Sequence, residues 1–364
     1  MKVKTYIFVI STAVLMLILP AYNLVANSSL FTKPTLLENM KSLYNMDSTE
    51  GEVGYLAYLA GISVEPNKVL VGKNGWLFLG NGYANTLIAK RDGVNSSNEA
   101  TVKSLHDTMH SWKEYLQQHG VKKFIVTIGP DKDSIYTDML PGWDQHSKSP
   151  IIRRIINDNK DIYIDTLTPM LEAKKASSVP LYFYTDTHWN HYGSSVVFNL
   201  LRHVMDNSEM EWTKEFNESD FNVSNGTPGD LAAFLRTNKI RDIKVDIKSP
   251  EINGLNVDKI DYTTGNTIAH EKLIAIEAPT VPTLIVSDNA LSNKKVLWLR
   301  DSFGNAMSPF MSREFKETLQ IHHGRVTPRM MKDMVESFKP DYVIITVVER
   351  DALTSFFTTP PSWG

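Results

Sequence analysis

The sequence predicts an α/β body with a mostly parallel central sheet in a three-layer α/β/α arrangement, preceded by an apolar N-terminal segment. Three observations carry this prediction. Short runs rich in branched residues are apolar without alternation, as in strands covered on both faces. Between them lie stretches with three- and four-residue apolar spacing, the signature of amphipathic helices. Strands that alternate with helices in this way build parallel sheets with helices on both sides.

The elements follow in chain order. Lys2 and Lys4 precede an apolar run from Tyr6 to Leu19, and weaker apolar character continues to Ala26. This reads as an export signal or single-span anchor over residues 1–26, ahead of one body over 27–364. Leu24-Val25-Ala26 places a bulky Leu where a cleavage site needs a small residue, which favours the uncleaved anchor, basic end inside. Val102, Leu105, Met109, Trp112 and Leu116 repeat at helical spacing until Gly120 offers a stop. Lys123–Gly129 is a strand candidate, as are Ile162–Thr166, Val296–Leu299 and Tyr342–Val348, with helices expected at about 150–158, 168–176, 193–206 and 329–338. Residues 207–290 are rich in Asn, Asp, Thr and Ser and read as an insertion of loops or a small β subdomain.

Composition narrows the function. The 364 residues are 42% hydrophobic and 22% charged, enough for a sizeable core in one large domain or two modest ones. A net charge of −3 with dispersed Lys and Arg gives no footprint for a nucleic-acid partner. Cysteine is absent, which removes disulfides, thiolate metal sites and thiol nucleophiles.

The stretch FYTDTHWNHYG (183–193) gathers Asp186, His188, Trp189 and His191. Three readings compete: metal ligands, a catalytic relay, or a structural turn ahead of a helix near Gly193. The metal reading has Asp186, His188 and His191 within six residues but no clear fourth ligand, with His322-His323 as the one outside candidate. In open α/β sheets chemistry collects at the carboxyl ends of strands. There the sequence offers Arg300-Asp301-Ser302-Phe303-Gly304, with Ser302 on a turn before a helix start. Such a serine either caps the helix or presents its hydroxyl beside free helix N–H groups. In an extended segment residues two apart point to one side, so Asp186 could orient His188, and His188 could take a proton from Ser302.

These motifs together resemble the SGNH-hydrolase-like polysaccharide O-acetyltransferases of the alginate O-acetylation type (AlgX/AlgJ-type). Asp186-Thr187-His188-Trp189-Asn190 followed by Arg300-Asp301-Ser302-Phe303-Gly304 carries the likeness. VGKNGWLFLGN (71–81), GPDKDSIYTDMLP (129–141), GDLAAFL (229–235) and VVERD (347–351) fall in the family's order, so the likeness spans roughly residues 70–351.

The resemblance implies an SGNH-like fold and an O-acetyltransferase that works through an acetyl-serine. Ser302 would be the nucleophile, His188 the base and acid, and Asp186 the residue orienting His188. Oxyanion donors would be the Ser302 N–H with Gly304 or a nearby amide side chain. Lys132 could face the site as an electrostatic helper or be an exposed loop lysine, and Trp189 could stack on a sugar or hold the loop. Glu349 and Arg350 are assigned structural roles, paired with each other or with the 129–141 loop. Arg300 stands where the wider SGNH group has Gly and is expected to narrow the turn. The chain ends about a dozen residues after Arg350 with no C-terminal carbohydrate-binding module in view, so grip on a polymer is expected from the groove. No cofactor is implied. The implied partners are a polysaccharide acceptor, a membrane-bound O-acyltransferase that delivers the acetyl group, and the inner membrane through the N-terminal segment, with the body in a Gram-negative periplasm. The same relay with water as acceptor would make an exported acetyl esterase, and an inactive one a scaffold or polysaccharide-binding subunit.

Overall fold

The computed structural model describes residues 2–26, 32–95, 98–144, 150–205, 211–272 and 276–361. Helix α1 (Lys2–Ala26) contains a 23-residue stretch, Val3–Val25, long and apolar enough to cross a membrane. Helix α2 (Leu36–Leu43) starts from a capping box in which Thr35 and Glu38 satisfy each other's backbone N–H groups, and α3 (Asp47–Leu59) follows. The strands β1 (Val69–Val71) and β2 (Leu77–Leu79) form an antiparallel hairpin, then α4 (Thr86–Asp92) leads to α5 (Glu99–Gln118). Helix α5 buries the expected stripe of Val102, Leu105, Met109, Trp112 and Leu116.

The core strand pattern is as the sequence predicts. In β3 (Lys123–Gly129) every residue after Lys123 is buried. After α6 (Lys132–Ile135) and α7 (Pro150–Asp158), the candidate strand at 162–166 shrinks to β4 (Tyr163–Ile164). Asp165 turns its carboxylate back to the Thr168 N–H, and Thr166 stands directly ahead of α8 (Leu167–Ala176), so the chain bends into a helix there. Helix α9 (His191–Met205) begins two residues earlier than expected; residue 206 lies outside the described residues.

Residues 207–290 are less separate than the sequence suggests. The strands β5 (Phe221–Gly226) and β6 (Asp242–Ile247), with α10 (Asp230–Ala233) between them, do form a two-stranded unit. After α11 (Pro250–Asn253), however, β7 (Asn256–Asp261), β8 (Thr267–Lys272) and β9 (Thr283–Ser287) extend the central sheet. Val257 is buried on β7 between the polar, more exposed Asn256 and Asp258, and β8 has no buried residue, so these two strands show only a weak apolar signal; β9 is apolar only over Leu284-Ile285-Val286.

The chain closes with β10 (Ser292–Arg300), α12 (Gly304–Glu314), β11 (Phe315–Ile321), α13 (Pro328–Phe338), β12 (Tyr342–Val348) and α14 (Ser355–Thr358). The eight-stranded sheet runs β4-β3-β12-β10-β11-β9-β7-β8. The first five strands are parallel, and β9, β7 and β8 pair antiparallel beyond them. All seven residues of β12 are buried, so both faces of the sheet are covered there. Helices α8 and α12 pack on α9, and α5 packs on α7 and α14.

The middle of the sheet carries the stability. Leu299→Ala, at a fully buried site on β10, is expected to cost about 2–5 kcal/mol in a urea titration followed by tryptophan fluorescence. Ile268→Ala, 57% exposed on the outer strand β8, should cost less than about 1 kcal/mol.

Candidate active site

The loop between α8 and α9 folds back on itself rather than running extended. An isolated antiparallel bridge joins Tyr182 to Trp189, and the Asn190 N–H donates to the Leu181 carbonyl at 2.9 Å. Residues 184–188 bend across the tip. Asp186 and His188 therefore meet by a local turn, not by strand alternation. Asp186 Oδ1 accepts from the His188 backbone N–H at 2.9 Å and lies 2.6 Å from His188 Nδ1. His188 Nε2 lies 2.7 Å from Ser302 Oγ, a contact between residues 114 apart in sequence. Ser302, His188 and Asp186 thus form one chain of hydrogen bonds at the carboxyl end of β10, with the His188 and Asp186 side chains still 27% and 23% exposed.

The electrostatics suit proton transfer. Burial would raise the Asp186 carboxyl, but the hydrogen bond and charge of His188 and the N–H groups of His188 and Asp230 hold it below its ordinary value. Burial would lower His188, yet Asp186 and Asp230 raise it while Arg350 opposes them. An Nδ1 committed to Asp186 leaves Nε2 as the acceptor for the Ser302 proton.

The motif around residue 230 forms the wall behind Asp186. The Asp230 N–H donates to Asp186 Oδ2 at 3.2 Å, and the Asp230 carboxylate accepts from the Thr187 N–H at 2.8 Å and from Thr187 Oγ1 at 2.6 Å. Gly229 fits there because a Cβ would lie 2.3 Å from Asp186 Cβ. Asp230 also comes within 4.8 Å of Asp186 and His188, a grouping of cation-ligand types. The 2.6 Å Nδ1–Oδ1 contact is a short hydrogen bond, and Thr187 bonds both Asp230 oxygens, so each of the three groups has a hydrogen-bond partner within the loop. His191 is not part of this cluster: its Nδ1 meets the Ala306 carbonyl at 3.0 Å, and it opens α9.

Lys132, a candidate substrate-binding residue from sequence, is buried, and it is neither an exposed loop lysine nor a group facing substrate. Its ammonium donates to the carbonyls of Phe183, Tyr184 and Asp186 at 3.1, 3.0 and 2.6 Å. Burial pushes its pKa down to about 8, against the attraction of Asp242, Asp186 and Asp230, so it is charged at neutral pH. Of the two readings of Trp189, the burial fits the one that holds the loop and not the one that stacks on a sugar: it is fully buried, and its Nε1 donates to the Phe303 carbonyl at 2.7 Å, beside Ser302. The Gly304 N–H, a candidate oxyanion donor, bonds to the Asp301 carbonyl at 3.2 Å.

Arg300 does not narrow the turn. Its buried side chain runs beneath α12, with Nε on Gln320 Oε1 at 2.8 Å, Nη1 on Asn305 Oδ1 at 2.8 Å and Nη2 on the Ile276 and Glu277 carbonyls at 2.6 and 3.0 Å. Asp301 is buried beside it and accepts from the Phe303 and Val348 N–H groups at 2.8 and 2.7 Å. Among the described residues the Ser302 N–H meets no acceptor.

Glu349 and Arg350 bind the 129–141 loop, as the sequence reading allows. Glu349 accepts from the Asp131 N–H at 2.9 Å and from Ser134 Oγ at 2.6 Å, and Arg350 bonds to the Asp131 carboxylate. Two buried partners were not legible in the sequence. Lys90 lies 3.1 Å from Asp131 and 2.7 Å from Asp133. Asp242 accepts from the Tyr184 N–H at 2.9 Å, the Thr185 N–H at 2.7 Å and Thr185 Oγ1 at 2.5 Å.

With His188 raised, the acid limb of the pH–rate profile is expected above the ordinary imidazole value of about 6.5, because only neutral His188 can accept the Ser302 proton. Asp186→Asn removes the main groups that raise it and leaves burial, so turnover should fall on the order of 10⁴-fold and the limb should move to lower pH. An unmoved limb would take Asp186 out of the relay. Lys132→Met should lower unfolding stability by more than about 3 kcal/mol, since three buried carbonyls lose their donor. An unchanged urea midpoint with a raised KM would return Lys132 to substrate binding.

Comparison with solved structures gives the fold a wider setting. A DHHW family protein from Eubacterium siraeum superposes with a TM-score of 0.58 at 15% identity, over 83% of this chain and 98% of that one. PatB1 from Bacillus cereus gives 0.54 at 16% identity, over 79% and 98%, and is also known with a sulfonyl adduct. No curated protein sequence matches the chain. Residues 69–249 match the family model described as an SGNH hydrolase-like domain, acetyltransferase AlgX; this stretch holds Lys132, Asp186, His188, Trp189 and Asp230, while Ser302 and Gly304 lie C-terminal to it. That stretch is what the chain shares with the SGNH hydrolase-like AlgX acetyltransferase family.

Proposed function

We propose that the chain is an O-acetyltransferase that moves an acetyl group onto a polysaccharide outside the cytoplasm, through an acetyl-serine on Ser302. The observation that carries this reading is the 2.7 Å contact of Ser302 Oγ with a histidine whose other nitrogen is held by Asp186. Ser302 Oγ attacks the acetyl carbonyl of the donor while its proton passes to His188 Nε2. The tetrahedral species collapses, the bond to the donor oxygen breaks, and the leaving oxygen takes the proton from His188. A sugar hydroxyl then gives its proton to His188, attacks the acetyl-serine, and the Ser302 Oγ–acyl bond breaks as the proton returns to the serine. The negative oxygen needs donors, and we assign the Ser302 N–H and the Asn305 amide, whose Oδ1 is already taken by Arg300.

The apolar N-terminal helix supports the location, and the family resemblance supports the donor. Helix α1 would anchor the body at the outer face of a Gram-negative inner membrane, and a membrane-bound O-acyltransferase partner would supply the acetyl group there. The partial exposure of His188 and Asp186 admits water to the same relay, so slow acetyl-ester hydrolysis is expected beside transfer.

The test uses a chromogenic acetyl ester and a sulfonyl fluoride. Acetate release should vanish in Ser302→Ala and His188→Ala, and the sulfonyl group should be found on Ser302 by peptide mass spectrometry. Added oligosaccharides should gain the mass of an acetyl group. A folded wild type that neither hydrolyses the ester nor takes the sulfonyl label would make the chain a scaffold; hydrolysis without acetylated sugar would make it an esterase.

A further inference from the structure

The segment between α1 and the catalytic body leaves a large apolar surface in the open. On α2, Leu36, Leu37, Met40 and the adjoining Tyr44 share one side of the helix and are 76, 63, 53 and 54% exposed, while Glu38 and Lys41 occupy the other side. Helix α3 is apolar on two sides. Gly51, Gly54, Tyr55 and Tyr58 face the body, and Gly54 sits so close that a Cβ would lie 2.0 Å from the Leu235 carbonyl oxygen. The opposite side carries Val53, Leu56 and Leu59, 55, 63 and 61% exposed, followed by Ile62 at 59%. Scattered apolar residues on a soluble surface need no explanation, but two consecutive helices with open apolar faces do.

Their place in the fold says what covers them. Asn23, near the end of α1, is buried, and its Nδ2 donates to the carbonyls of Leu43 and Asn45 at 2.7 Å each. These two carbonyls form the corner between α2 and α3, so the end of α1 is fastened to that corner by hydrogen bonds as well as by packing. The Val3–Val25 stretch is about 35 Å long at 1.5 Å per residue, against a hydrocarbon core of about 30 Å. Asn23 therefore falls at the outer boundary of a spanning α1, and the corner it holds falls there too.

We propose that the apolar faces of α2 and α3 lie in the outer interface of the lipid bilayer and hold the catalytic body against it. This rests on the reading that α1 spans the membrane. The occupant is lipid because the faces are continuous with the spanning helix and fixed to its outer end, the position where amphipathic helices lie in the plane of the interface. The consequence reaches the site. Glu50 on α3 and Glu65 beyond it bond Arg236 at 2.7 and 3.0 Å, and the same segment carries Asp230, whose N–H supports Asp186. The wall behind the relay is thus tied to the membrane-seated helices. An acetyl group delivered at the bilayer surface would then have little distance to travel.

The absence of cysteine makes the test clean. Single variants Leu15→Cys, Met40→Cys, Leu56→Cys and Ile268→Cys of the full chain each take one environment-sensitive fluorophore, in nanodiscs of phosphatidylethanolamine and phosphatidylglycerol with plain or brominated acyl chains. Dyes at 15, 40 and 56 should shift to the blue and lose emission in brominated lipid, while the dye at 268 should do neither. Quenching at 15 with 40 and 56 behaving like 268 overturns the proposal and leaves the anchor standing. An unquenched dye at 15 removes the anchor itself and the proposal with it. Blue-shifted but unquenched dyes at 40 and 56 would put those faces against protein and overturn the assignment to lipid.

Discussion

Three backbone carbonyls, those of Phe183, Tyr184 and Asp186, converge on the buried ammonium of Lys132, and the geometry of the site depends on that convergence. The 183–188 loop has no regular ladder to satisfy its peptide groups, yet it must sit against the core to bring His188 to Ser302. Lys132 answers for the carbonyls, and Asp242 answers for the N–H groups of Tyr184 and Thr185. The ring faces of Trp76 and Phe78, 5.7 and 5.5 Å from the ammonium, complete its surroundings. An isolated ammonium in this position would be prohibitively desolvated; three carbonyls and the nearby carboxylates of Asp242, Asp186, Asp230 and Asp133 make it tolerable. The loop is therefore held from both sides by buried charges.

The same device closes the gaps between strand ends. Asp301 bonds the Val348 N–H and so ties β10 to β12, while Asp131, Glu349 and Arg350 tie the end of β3 to the end of β12. Lys90 joins this last group from α4. Burial and the neighbouring carboxylates push Asp133 and Glu349 up, whereas Lys90 and Arg350 hold Asp131 down, so two cations face three carboxyls in this cluster. Buried ion pairs are weak contributors to net stability, and their value here is positional. They fix which strand ends stand side by side, and Ser302, the turn before α12 and the loop from α6 all emerge from those ends.

Much of this was legible in the sequence, and the failures have a common cause. The parallel strands were readable because residues buried on both faces are apolar throughout, as in Tyr342–Val348. Asp186, His188 and Ser302 were readable because each sits in a short motif whose residue types match its chemistry. Residues 256–287 were misread as an insertion because β7 offers Val257 as its one buried position and β8 offers none, while the apolar run of β9 is only Leu284-Ile285-Val286, too short to stand out beside them. Lys132 was misread because a charged residue is expected at the surface, and the buried course of Arg300 beneath α12 was missed for the same reason. Their partners are carbonyls, amides and side chains far away in sequence, and no local pattern announces them. Lys90 and Asp242 carried no signal for the same reason.

The Asp-x-His spacing has a physical meaning different from the one a strand would give it. Asp186 Oδ1 receives the backbone N–H of His188 and lies against its ring Nδ1, so the carboxylate and the imidazole close a small ring within three residues. That ring favours one tautomer and orients the imidazole, with the Asp230 N–H holding the other Asp186 oxygen. Thr187, between them, gives its N–H and hydroxyl to Asp230, which keeps Asp230 from competing for His188 and pins the turn from a third side. What remains for the tertiary structure is one long-range distance, from Nε2 to Ser302 Oγ. The buried ammonium, the Trp189 bond to the Phe303 carbonyl and the carboxylate on the Val348 N–H all act on that distance. A site assembled this way needs only two short segments to be chemically specific, and the many residues that set their separation can vary in kind so long as they satisfy the same peptide groups.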